Sequence, residues 1–401
     1  MAIPTKQRAG ADRDFLRTAL RRFATSDTTG PALLLAATVV ALVWANSPWR
    51  GGYAAAWGTH VRLAVGSTGF DGDLRHVVND GLMALFFFVV ALEIKRELVA
   101  GELSSPRKAM LPALAALGGM IVPALIYLAV NAGGADARGW GIPMATDIAF
   151  ALGALALFGR SLPSSLRIFL LSLAIVDDVG AILVIALAYT GGVDLVPLAV
   201  AVALTIAIVA VRRLNVAPAP VYLVASIGVW VAAHEAGVHA TLAGVALGLL
   251  TPARPRGGED VSAAERLEHL LHPWSGYAIV PLFALANAGV EISLDSMRAA
   301  FTSRLGLGIV AGLVAGKLAG ISATTWLATR ARLSPLPEGA RWRDLNGVAA
   351  LAGIGFTVSL FMAGLAFEDG GKVDQAKIAI LAGSLAASAL GALIFRTGRR
   401  R

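Results

Sequence analysis

In the run AIVDDVGAILVIA, residues 174–186, two aspartates stand side by side in a stretch otherwise apolar enough for hydrocarbon. A carboxylate at the centre of a bilayer costs at least ~2.5 kcal/mol on insertion scales, so Asp177 and Asp178 imply a chemical task. Few other ionisable residues lie within apolar runs. They are Asp147 in GIPMATDIAFALG, Lys317 in GLVAGKLAG, and Asp80, Glu93 and Glu97 along one further run. Successive helical residues point about 100° apart, so Asp177 and Asp178 cannot face one partner equally and should have separate roles. A hard monovalent cation such as sodium takes oxygen ligands, which a carboxylate with hydroxyl or backbone oxygens supplies. A desolvated carboxylate also holds a proton more tightly than one in water. A group that holds either ion but not both, exposed alternately to two sides, exchanges one for the other. Such competition predicts loss of activity in acid. Lys317 lies about twelve residues from either end of its apolar run, too deep to reach an interface easily. It is expected to pair with a carboxylate or with helix C-terminal carbonyls.

These groups must be held by membrane helices. The chain has 401 residues, 57% hydrophobic and 15% charged, too little polar surface for a soluble enzyme of ordinary composition. Apolar stretches of spanning length fall near 31–48, 78–95, 109–131, 140–159, 166–190, 194–211, 219–235, 238–251, 274–291, 305–329, 346–368 and 376–396, the eighth being short. With a cytoplasmic N-terminus, the loops on that side hold most of the basic residues, from Lys6, Arg8 and Arg13 through Lys95, Arg96, Arg107, Lys108, Arg160, Arg167 and Arg256 to Arg399, Arg400 and Arg401. This is a positive-inside pattern for twelve helices with both termini cytoplasmic. The net charge of +8 therefore orients the protein and needs no nucleic acid. The absence of cysteine excludes disulfides, thiolate metal sites and cysteine nucleophiles. About thirty residues precede the first apolar core, which favours an uncleaved first helix over a signal peptide.

The expected organisation is a cytoplasmic segment 1–30, one membrane domain 31–396 and a basic cytoplasmic tail 397–401. In the outer loop 49–77, alternation around Ser67-Thr68-Gly69 and Asp71-Gly72 suggests a β-hairpin, with a turn-rich loop about equally compatible. In EDVSAAERLEHLLHPW, Leu267, Leu270 and Leu271 fall at helical spacing, which predicts a short amphipathic helix leading into the ninth span. Two spans are unsuited to continuous helix. One has Gly141, Pro143, Thr146 and Asp147, the other Gly353, Gly355 and Thr357. Interrupted spans in corresponding halves point to a midplane site, because unwound backbone offers carbonyls and helix ends offer partial charges. Asp147 would complement a positive half-helix end there. Glycine and threonine also serve close packing, a reading that weighs equally for the second span alone.

Several segments together resemble a known family. ATDIAFALG at 145–153, AIVDDVGAILVIA at 174–186, GVHATLAGVALG at 237–248, RLEHLLHPW at 266–274, PLFALANAGV at 281–290 and GIGFTVSLF at 353–361 are similar, in order, to the bacterial NhaA sodium/proton antiporters. The resemblance implies an all-α polytopic membrane protein of twelve transmembrane helices and two inverted repeats, with interrupted helices four and eleven crossing near the midplane. It implies electrogenic exchange at the bacterial inner membrane, more protons entering than sodium or lithium ions leaving, without a cofactor. By matching motif, Asp178 is implied to be the principal cation ligand and proton carrier. Asp177 would pair with Lys317 and gate the site or exchange protons, Thr146 would add a ligand oxygen, and Asp147 belongs to the break. The ion ligands expected are thus Asp178, Asp177 and Thr146. Glu93, Glu97, Glu268, His269 and His272 are implied in the pH response, where some members carry lysine at the position of Glu265. A homodimer through loop 49–77 is also implied.

Other chemistries fit less well. An intramembrane aspartyl protease needs two carboxyls facing each other from separate helices, which adjacent residues cannot provide. A sodium-coupled symporter would need a polar cavity for an organic substrate, and the span centres offer almost none. A channel lacks a repeated filter loop. His239 reads as a packed helix-end residue and His234 with Glu235 as an interfacial pair, while His60 and His76 carry no motif.

Overall fold

The computed structural model describes residues 29–65, 68–159, 162–214, 219–255 and 260–397. The basic N-terminal segment up to residue 28, Arg160, Arg256 and the tail from 398 lie outside the described residues. Helix α1, Thr29–Ala45, turns by 116° into a surface helix, α2, Arg50–Trp57. The outer loop then forms the expected hairpin, β1 His60–Val65 antiparallel to β2 Thr68–Asp73, with His60 opposite Asp73 and Val65 opposite Thr68. The Asp73 carboxylate accepts from the His76 amide at 2.8 Å and starts the next helix, α3, Leu74–Val99, four residues before the apolar run.

Helix α4 spans Pro106–Asn131. It is followed by a 3-10 helix, Ala135–Met144, and by α5, Ile148–Phe158, the two inclined by 47°. Gly139, Gly141 and Pro143 disfavour a regular α-helix in the first of these halves. Helix α6 is Ser164–Tyr189, α7 Leu195–Leu214, α8 Ala219–Glu235 and α9 Thr241–Leu250. The amphipathic segment is helical as expected, α10 Ala263–Trp274, and continues through a π turn, Ser275–Ile279, into α11, Val280–Asn287. A short surface helix, α12 Leu294–Thr302, had no counterpart in the apolar pattern; Ser293 and Ser296 cap it reciprocally. Helix α13 runs Arg304–Arg330. A second bent pair, α14 Trp342–Leu351 and α15 Phe356–Ala366, is inclined by 45°, and α16 Gly370–Arg396 closes the chain.

Among the described residues six helices are long and apolar enough to cross a membrane singly, or up to nine if each bent pair is one span. Large apolar side chains such as Leu187, Leu223 and Leu385 are exposed on the outside of the bundle. Such a surface suits lipid, and the molecule is a multi-pass helical membrane protein. Within it, α4 and α13 pack backbone to backbone. A Cβ on Gly118 or Gly320 would collide with the other residue's carbonyl oxygen. Without a hydrophobic force between helices in lipid, this small-residue contact draws α13, and with it Lys317, into the core.

Both breaks fall where the glycines, proline and threonines placed them, at 145–147 and 352–355, and they meet. The Asp147 amide donates to Ile354 O at 2.6 Å, the Thr146 hydroxyl lies 2.8 Å from Ala352 O, and the Ser359 hydroxyl donates to Ile142 O at 2.7 Å. Each contact serves a carbonyl that a continuous helix would have satisfied internally, which buried backbone requires.

Candidate ion-binding site

The carboxylates converge on this crossing. Asp147 is buried and serves the N-termini of the two half-helices that follow the breaks, α5 and α15. Its Oδ1 accepts from the Phe150 amide at 3.0 Å, while Oδ2 accepts from the Thr357 amide at 3.1 Å and the Thr357 hydroxyl at 2.6 Å. One negative charge thus offsets the positive ends of α5 and α15. The carboxylate expected to complement a positive half-helix end thus does so at both breaks.

Asp177 and Asp178 diverge, as their spacing required. Asp177 is 1% exposed and its Oδ2 takes both the Lys317 ammonium and the Thr146 hydroxyl, the latter at 2.5 Å. Lys317 is fully buried and also donates to Thr146 Oγ1 at 2.9 Å. Because a hydroxyl has one proton, Thr146 can serve Asp177 or the Ala352 carbonyl, not both at once. Oδ1 of Asp177 is buried and has no hydrogen-bond partner among the described residues. Asp178 faces the other way. Among the described residues nothing donates to its carboxylate, and it lines a cavity of about 480 Å³ together with Thr146, Asp147, Thr357, Glu93, Arg167 and His272. Thr146 therefore touches both the cavity and the buried ion pair.

The cytoplasmic-mouth candidates separate. Glu268, on α10, forms a two-point bond with Arg96 on α3, at 2.8 and 3.1 Å to Nε, and Glu97 lies 3.2 Å from the same guanidinium. Glu97 also accepts from the Glu102 amide at 3.0 Å. Glu93 feels the charges of Glu268, Arg96 and Glu97 and lines the cavity. His272 lines it too, at an exposed position, whereas His269 is exposed and outside the lining. The sequence reading missed Arg96 as the hub, having counted it only for topology; its position between Glu93 and Glu97 was the available signal. Thr357 and Ser359 were missed as partners of the first break, since nothing local says which half-helix they meet.

His239 Nε2 donates to Tyr189 O at 2.7 Å, as a packed helix-end residue. His234 stacks on Trp230 and lies 3.9 Å from Asp80 on α3. Among the described residues no group of three or more His, Asp or Glu side chains is arranged to hold a metal ion.

A membrane protein whose two broken helices meet at buried carboxylates, beside a lysine paired with one of them, has features of an ion transporter. The family described as Na+/H+ antiporter 1 matches residues 21–395, and the chain belongs to it. It is 49% identical over 407 residues to the Na(+)/H(+) antiporter NhaA 3 of Frankia alni, covering 94% of this chain and 88% of that one. It is 48% identical over 386 residues to the Na(+)/H(+) antiporter NhaA of Citrobacter koseri, covering 94% and 98%. The NhaA antiporter of Pseudomonas putida is 46% identical over 389 residues, covering 96% and 99%.

Proposed function

We propose that the chain is an electrogenic sodium/proton antiporter of the bacterial inner membrane, a secondary transporter and not an enzyme. It extrudes sodium or lithium against a larger number of protons and so serves sodium, pH and salt homeostasis. The observation that carries this reading is Asp178, a buried carboxylate with no donor among the described residues, facing a cavity that ends at the two crossed breaks. Sodium or a proton neutralises it, and the two compete. Thr146, Asp147 and Thr357 line the same cavity and supply further oxygens. Asp177 is the second proton site or gate. Its exchange requires Lys317 to let go, and Thr146 senses both states because it bonds to Asp177 and lines the cavity.

The fold reading that accompanies this is twelve spans, with the π turn and α11 as the ninth, α10 leading into it, and α9 as the short eighth, in two inverted repeats, both termini cytoplasmic. The cavity then opens to the cytoplasm past Arg167 and His272. Glu93, Glu97, Glu268, His269 and His272 tune activity with pH through the Arg96 hub. The hairpin β1–β2 pairs two copies into a homodimer, and no cofactor or nucleic acid takes part.

Proton-gradient dissipation in everted vesicles on adding sodium or lithium, from acidic to alkaline pH, tests the reading. A sodium-triggered response that Asp178→Asn abolishes supports antiport at that carboxylate. No response from well-expressed native protein at any pH sinks it.

A further inference from the structure

Arg167 stands eleven residues before Asp178 on α6, with Leu171 between them. At helical spacing all three fall on one face, and all three line the cavity. About 16 Å of helix axis separates the two residues, which sets the scale of the distance between their charges. Arg167 is exposed, and among the described residues no ion pair or hydrogen bond engages it. The interior is acidic by contrast: Glu93, Asp147 and Asp178 line it, with the hydroxyls of Thr146 and Thr357. Its negative charge attracts a divalent cation more strongly than a monovalent one, without any site among the described residues built to coordinate it. A magnesium ion lodged there would occupy the site without being exchanged.

We propose that Arg167 is a specificity-determining residue whose positive charge at the cavity rim disfavours divalent cations in this acidic cavity more strongly than monovalent ones. The inference rests on the antiporter reading, in which the cavity is the ion's path. Repulsion scales with the charge of the approaching ion, so its effect on occupancy is squared for a divalent cation. Unit charges about 16 Å apart in an effective dielectric of about 40 change occupancy roughly twofold, and a divalent ion roughly sixfold. Replacing the positive rim charge by a negative one doubles each energy, giving roughly sixfold for sodium and thirtyfold for magnesium. A residue that only set topology during insertion would not distinguish ions afterwards.

The chain contains no cysteine, so Arg167→Cys creates a single thiol that can be given either charge after the protein is folded and inserted. Everted vesicles of this variant are labelled with a trimethylammonium-ethyl or a sulfonato-ethyl thiosulfonate. Sodium KM and the magnesium concentration for half-inhibition are then measured at about 0.01 M ionic strength, where the screening length is about 30 Å. The expected result is a sodium KM roughly sixfold lower in the negative adduct and a magnesium half-inhibition roughly thirtyfold lower. Both differences should shrink at about 0.15 M, where the screening length falls to about 8 Å. Equal magnesium sensitivity in the two adducts, or a magnesium shift no larger than the sodium shift, overturns the proposal while native exchange keeps the antiporter reading intact. Absence of sodium-triggered exchange in the native chain overturns both.

Discussion

Replacing either partner of the Lys317–Asp177 pair should destabilise the protein far more than replacing both. Both side chains are buried, and their mutual contact with Thr146 Oγ1 supplies the polar surroundings. In Lys317→Ala the Asp177 carboxylate keeps one donor, Thr146, while its Oδ1 is already without one. In Asp177→Asn the ammonium loses its counter-charge and keeps only neutral acceptors, Thr146 Oγ1 and an amide oxygen. Removing one member of a buried ion pair costs about 3–5 kcal/mol, whereas exchanging both for neutral groups of similar size is often close to neutral. At roughly 2 °C per kcal/mol, the lower end for chains of 150–250 residues, each single change should lower the apparent Tm by roughly 6–10 °C. Asp177→Asn with Lys317→Gln should recover most of that loss. The assay is thermal unfolding of detergent-solubilised protein at one fixed scan rate, since membrane proteins of this size unfold irreversibly. Additive losses, with the double variant as poor as the sum of the singles, would refute the reasoning, because residues that share no interaction add within about 0.5 kcal/mol. Unchanged stability together with unchanged electrogenic transport in Lys317→Ala would remove the pair from the mechanism as well.

Asp147→Asn keeps a hydrogen-bonding side chain but removes the charge facing two helix N-termini. At about 0.3–1 kcal/mol per terminus, sodium KM in vesicle assays should rise about three- to thirtyfold; an unchanged KM counts against a role for that charge. If sodium and protons compete for one carboxylate, sodium KM rises up to about tenfold per pH unit on acidification, with the maximal rate little affected, as mass action requires. A maximal rate that falls while KM stays level argues for two separate sites. Gly320→Leu should prevent the α4–α13 approach and abolish folding, read as loss of a monodisperse peak on size exclusion, since even a Cβ collides with Gly118. Deleting 60–73 and bridging with glycines should yield a monomer that still exchanges sodium, and a dimer that survives the deletion rules out the hairpin as its contact.

Much of the site was legible because hydrocarbon makes polar residues expensive. Asp147, Asp177, Asp178 and Lys317 stood out against apolar runs; Asp147 lies at the breaks, Asp177 and Lys317 bond to Thr146 there, and Asp178 lines the cavity beside them. The breaks were legible from Gly141, Pro143, Gly353 and Gly355, residues that weaken a helix locally. What one sequence could not disclose was the pairing between distant segments. That Thr357 bonds Asp147, Ser359 reaches Ile142 O, and Glu268 meets Arg96 depends on how helices pack, which spacing along one helix does not encode. Helix α12 was also hidden, since its apolar residues, Leu294, Met297 and Phe301, are too few for a span and lie on an exposed face.

The crossing also explains why Lys317 is available to Asp177 at all. The sequence left two partners open for the lysine, a carboxylate or the carbonyl ends of the broken helices. In the structure those carbonyls have other donors: the Ser359 hydroxyl takes Ile142 O, the Thr146 hydroxyl reaches Ala352 O, and the Asp147 amide takes Ile354 O. The negative helix ends are thus served by neutral groups, while the positive ends share the carboxylate of Asp147. Lys317 is left to pair with the carboxylate of Asp177. Through the shared hydroxyl of Thr146, a change at that pair is felt at once by the backbone of the second break and by the cavity that Asp178 faces. In the proposed exchange this matters, because a lysine bound to fixed carbonyls would hold the two breaks together equally well but would not respond to a proton or a cation arriving at a carboxylate.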